Sequence, residues 1–138
     1  MIINASLLPL AGAICLLAAI AEGWIMALIR YADLRPLKRR FPGYRYLARS
    51  HVDFAVMAAL LFGIYLLQAG MDLSLSALTV AALIIGALYD PFGFFLQALK
   101  PDIAESDAPL MKLLILAGFI PATYGFGAVG LAVLMHRW

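Results

Sequence analysis

Charge is what this chain has least of. Of its 138 residues only 13% are Asp, Glu, Lys or Arg, against 65% hydrophobic, and the mean hydropathy is +0.98. Water-soluble domains carry about a quarter charged residues, because a small body needs polar surface to cover its core. A soluble globular domain is therefore excluded. Cysteine is nearly absent: Cys15 stands alone, so no internal disulfide can form. Ile14 precedes it where a lipoprotein signal needs a small residue, which leaves Cys15 as a packing or lipid-facing side chain. No basic residue and no small-x-small cleavage site accompanies the first apolar run, which reads as a retained span and not a cleaved signal. Domain boundaries, low-complexity tracts and internal repeats are also missing. The expectation is one domain over 1–138.

What is present in quantity is uncharged sequence. Residues 1–21, 54–71, 73–89 and 113–135 carry no formal charge. A helix of about 20 residues crosses the hydrocarbon of a bilayer. The runs lack the alternation of a barrel strand, and backbone polar groups in lipid must bond within their own segment, so the spans should be helical. The sequence predicts an all-α integral membrane bundle of four helices, at approximately 5–30, 51–70, 74–99 and 109–135.

The scarce charges are unevenly placed. Seven of the ten basic residues are Arg30, Arg35, Lys38, Arg39, Arg40, Arg45 and Arg49; the link after the second span has none, and the C-terminus has Arg137. Basic residues near span ends favour the cytoplasmic side. The first and third loops should then be cytoplasmic and both termini outside, as in a bacterial-type inner membrane. The segment 31–50, with Pro36 and the turn signal Phe41-Pro42-Gly43, is the longest polar stretch and should face acidic lipid headgroups. Its position against membrane spans argues for lipid over nucleic acid as its partner.

With so little chain outside the bilayer, chemistry must come from polar groups within or beside the spans, where a charge is costly unless it meets a partner or a cavity. Five stand out: Glu22, His51, Asp53, Asp90 and Tyr124. Glu22 lies two turns before Arg30 and has a structural reading, an approach to the headgroups. Asp90 precedes Pro91, which removes a backbone donor and is placed to bend the third span; the acid either satisfies that bend or lines a cavity. Tyr124 reads as interhelical packing. At about 100° per residue, His51 and Asp53 point about 200° apart, whereas Asp53 and Met57 share a face. One monomeric pocket cannot take both faces, but a cyclic oligomer can offer His51 to one interface and Met57 to the next.

The second span opens with Ala48-Arg49-Ser50-His51, and the third closes with Phe92-Gly93-Phe94-Phe95-Leu96 followed by Pro101. With four spans and a basic loop, this pattern resembles the styrene oxide isomerases, whose second helix begins Ala-Arg-Ala-His and whose third carries a Gly-Phe-Tyr-Leu segment. His51-Val52-Asp53 is also similar to the histidine–apolar–acid sequence of the hydroxylaminobenzene mutases in the same superfamily. The likeness in topology covers nearly the whole chain, the motifs about twenty positions.

The resemblance implies a homotrimer holding haem b between subunits, with His51 as iron ligand and Arg49, then Arg45, as partners for a haem propionate. The implied activity is an intramolecular isomerisation of a small hydrophobic epoxide, the ferric iron acting as a Lewis acid on its oxygen. This sequence departs from the isomerases at Met57, where they carry Asn, and at Phe95, where they carry Tyr. Asp53 and Asp90 then become the candidates to replace those polar groups, with Met57 and Phe95 as cavity-lining positions. Two further readings stay open: a haem electron-transfer or sensing protein in which Met57 approaches the iron, and a haem-free structural or partner protein. The charge pattern also sets a test of orientation. Tags at either terminus should be reachable only from outside intact cells, and a cysteine placed at 38 only from the cytoplasm; termini protected in intact cells reverse the topology.

Overall fold

A computed structural model of the protein describes residues 6–105 and 109–136. Arg137 lies outside the described residues. Five α-helices follow in order: α1 (Leu7–Tyr31), α2 (Arg35–Arg40), α3 (Tyr44–Met71), α4 (Ala77–Leu99) and α5 (Pro109–Met135), with a short 3-10 turn, Pro101–Glu105, between the last two. Four stretches, Leu7–Tyr31, Tyr44–Met71, Ala77–Leu99 and Lys112–Met135, are long and apolar enough to cross a membrane. The chain is an all-helical integral membrane protein, and no strand occurs among the described residues.

The ends of these helices follow local chemistry. Ser76 caps α4, its Oγ accepting from Thr79 N at 3.1 Å. At the other end of the tight α3–α4 link, Asp72 takes a left-handed φ of 51° and the Leu73 N–H donates to Gln68 O at 3.2 Å, covering a terminal carbonyl of α3. The polar stretch 31–50, expected as a loop before a helix opening at Leu47, instead contains α2 and the first two turns of α3. The reason is a small apolar cluster: Leu37 and Phe41, one turn apart, and Leu47 pack with Ala98 at the end of α4. Gly43 fits this junction because a Cβ there would lie 2.7 Å from Gln97 O, and its N–H donates to Ala98 O at 3.0 Å.

The main core is built by three helices. Leu8, Ala11, Cys15 and Ala19 of α1 meet Phe54, Ala58, Leu61 and Ile64 of α3 and Val80, Leu83 and Ala87 of α4, whereas α5 adds Val129. Cys15 is thus a packing residue. α3 lies between α1 and α4, and α5 packs on the far side of α4. Of the four spans α4 is the most enclosed and α5 the most exposed.

Small residues set the α4–α5 distance. A Cβ on Gly86 would lie 2.6 Å from Ala122 Cα, and one on Gly125 would lie 2.8 Å from Leu83 N. Close backbone approach through small side chains is the usual way to hold helices together where lipid removes the hydrophobic drive between them. Gly86→Ala should therefore push α5 away and cost about 1–3 kcal/mol, as overpacking does. Gly63→Ala, where a Cβ meets nothing within 4 Å, is the control. Thermal unfolding in detergent should show a lowered midpoint for the first variant only; equal midpoints would mean the seam is loose.

Candidate functional site

The polar residues gather where the C-terminal half of α1, the start of α3 and the C-terminal half of α4 meet. Pro91 creates the local need. Without an N–H it cannot donate to Ala87 O, and that carbonyl receives Cys15 Sγ from α1 at 3.8 Å instead. One turn on, Ser50 Oγ of α3 lies 2.8 Å from Pro91 O and 2.7 Å from Glu22 Oε1 of α1. Three helices are tied at one hydroxyl, and Ser50 is fully buried.

Glu22 is only 3% exposed, and its Oε2 has no partner among the described residues. The sequence expectation of an approach to the headgroups is therefore corrected: the side chain turns inward to α3. It belongs to the same face as Leu8, Ala11, Cys15 and Ala19, a spacing of three and four that places it in the core stripe. That periodicity was the available signal. A serine hydroxyl has one proton, and a carbonyl can only accept. Both short contacts become full hydrogen bonds when the carboxyl supplies a second proton.

His51 sits on the α1 side of α3, half-buried, with Nδ1 2.8 Å from Ala19 O. Since the carbonyl must accept, Nδ1 is the nitrogen that donates here, and in the neutral imidazole Nε2 is the one left with a lone pair. Gly23 leaves room for the ring, because a Cβ there would stand 3.2 Å from His51 Cε1. A backbone carbonyl on the remote nitrogen is the usual arrangement that orients a metal-binding imidazole.

Asp53, about 200° round the helix from His51, is on the α4 side. It is near enough to Asp90 and to Arg49 for their charges to interact. Asp90 in turn faces α5, where a Cβ on Gly118 would lie 2.9 Å from its Oδ1. Arg49 places its guanidinium 4.7 Å from the Phe94 ring centroid, and with Arg45 it lines a cavity of about 670 Å³ at the end of the bundle. Phe95 packs edge-on to Phe41 at 5.8 Å and stacks on Phe92 at 6.2 Å. Met57 lies against the core of its own chain.

The structure thus brings Asp53, Asp90 and Arg49 to one side of α3 and sets His51 on the other, with Ser50 and Glu22 between. It does not place His51 and the two arginines around a common space within one chain. Tyr124 is 45% exposed on α5, and His136 follows the end of that helix; neither joins the cluster. Among the described residues no three His, Cys, Asp or Glu side chains converge as a metal site. Haem iron, however, asks only one imidazole of a chain. No protein family, curated protein or solved structure matches this chain.

The three-helix tie makes distinct demands on its members. Ser50→Ala removes the donor to Pro91 O and strands Glu22, a loss of about 1–3 kcal/mol for buried polar groups. Glu22→Gln, whose amide can donate to Ser50 while Ser50 donates to Pro91 O, should unfold close to the parent. Melting curves in detergent check this, and a Gln variant as weak as Ser50→Ala would show that the site needs an ionised carboxylate.

Proposed function

We propose that the protein is a haem-b-dependent membrane isomerase that converts a small hydrophobic epoxide to a carbonyl compound. The observation that carries the reading is the geometry of His51: Nδ1 lies 2.8 Å from Ala19 O, which leaves Nε2 as the nitrogen for an axial ligand. Gly23 provides the room that lets the ring adopt this pose. When bound, ferric haem supplies a Lewis acid able to polarise an epoxide oxygen for ring opening and a 1,2-shift without net oxidation.

The chain's own residues would do the rest. His51 binds and its carbonyl partner fixes the ring plane. Asp53 and Asp90, paired on the opposite side of α3, orient the polar end of a substrate delivered to the neighbouring subunit's iron. Met57 and Phe95 supply apolar wall. Such a division suits a homotrimer, because a closed ring lets each α3 present His51 to one interface and Asp53 to the next. Arg49 and Arg45 turn away from their own His51, so as carboxylate forks they would serve a propionate only across that boundary. The electron-transfer reading asks Met57 to reach an iron, and its packing on its own core favours an open position instead. Orientation with both termini outside a bacterial cytoplasmic membrane follows from the basic first loop.

Absorption spectroscopy of detergent-purified protein expressed with added haem tests the reading. The parent should show a Soret band that shifts on adding azide or styrene oxide and, in native mass spectra, a trimer. His51→Ala should lose at least nine-tenths of the band while staying helical, and His136→Ala should keep it. A colourless parent, or bleaching by His136→Ala alone, overturns the assignment.

A further inference from the structure

The cavity lined by Tyr44, Arg45, Tyr46 and Arg49, with Pro42 and Pro101 at its rim, has an electrostatic character that His51 does not use. Both arginines are exposed, and they stand one helical turn apart on the first turns of α3. α3 has no side-chain cap, and its first turn holds no acidic residue. The opening backbone N–H groups of a 28-residue helix therefore add positive potential to that of the two guanidinium groups.

Depth defines what meets this cavity. Twenty-eight residues make about 42 Å of helix at about 1.5 Å each, against about 30 Å of hydrocarbon. The uncharged part of α3 begins at Phe54, so Tyr44, Arg45, Tyr46 and Arg49 reach the headgroup layer. Exposed Trp24 and Tyr31 on α1 and half-buried Tyr44 and Tyr46 form an aromatic belt at that end. Arg35, Lys38, Arg39 and Arg40 lie on α2 beside it.

We propose that this cavity is a binding site for the phosphodiester of an anionic phospholipid, with Arg45 and Arg49 as its guanidinium clamp and Tyr44 and Tyr46 against the glycerol region. A forked donor suits a phosphate oxygen pair, and the phosphates of a bilayer lie at the level where the clamp stands. Phe94 beneath Arg49 holds one half of the clamp through a cation–π contact at 4.7 Å. The site needs no haem, but it claims the two arginines that the isomerase reading offers to a neighbouring subunit's propionate, so at Arg45 and Arg49 the two assignments are alternatives.

Native mass spectrometry of the detergent-solubilised full chain, titrated with phosphatidylglycerol, phosphatidylcholine or inorganic phosphate, tests it. The parent should retain phosphatidylglycerol in preference to phosphatidylcholine and should not exchange it for inorganic phosphate. Arg45→Gln and Arg49→Gln should each weaken retention about fivefold, in keeping with the attraction of one basic residue to acidic lipid. The double variant Lys38→Gln/Arg39→Gln removes twice the charge of either single variant, from exposed positions outside the clamp, and should still change retention less than twofold. Equal losses in the two sets would replace the site with diffuse attraction. Displacement by inorganic phosphate would assign a soluble phosphate instead of a lipid. If the arginine variants lose Soret absorbance while keeping lipid, the clamp holds a haem carboxylate and the proposal fails. Far-ultraviolet circular dichroism on each variant confirms that the helices persist.

Discussion

A proline inside a buried helix leaves a carbonyl that the helix itself cannot cover, and in a membrane protein there is little water to cover it either. In this chain the orphan is Ala87 O, and the answer comes from α1 through Cys15. One turn further Ser50 adds a second tie, its Oγ 2.8 Å from Pro91 O of α4 and 2.7 Å from Glu22 Oε1 of α1. These contacts select which helices meet and in what register, something that apolar packing of leucine and alanine against lipid-like surfaces does weakly. The three helices α1, α3 and α4 meet at these contacts, and the histidine, the acids and the arginines lie around them.

The result is a helix with two chemically different sides. On the α1 side α3 offers a single oriented imidazole. Its α4 side offers carboxyls and guanidinium groups. Because the buried Ser50 stripe separates them, no ligand smaller than the helix can touch both within one chain. Chemistry that needs the imidazole together with Asp53 or Asp90 therefore calls for a second copy, whereas Glu22 lies near His51 within one chain.

Much of this was legible in the amino acids alone. Four uncharged runs are read directly as four spans, and the opposite orientation of His51 and Asp53 follows from helical geometry without any structure. The tie itself was not legible. Ser50 looks like one letter of a motif, and Glu22 looks like a charge reaching for the headgroups, because helical periodicity says which face of α1 is buried but not what lies opposite. α2 and the early start of α3 were hidden by their basic residues. Leu37 and Phe41 lie one turn apart but Leu47 falls out of that phase, and the intervening charges and the Pro42-Gly43 pair leave no continuous helical period to read. The side on which Arg45 and Arg49 lie depends on where the α4 terminus docks, which Gly43 and Ala98 decide together.

The sparse attachment of α5 bears on how the protein is made. Each long helix finds its main partner already in place: α3 meets α1, α4 meets α3, and α5 meets α4. A nascent chain that has emerged through Leu99 already owns every donor and acceptor of the polar centre. The contacts of Cys15, Ser50 and Glu22 therefore lie wholly within α1, α3 and α4, and the last helix meets α4 along the seam of Gly86, Ala122 and Gly125.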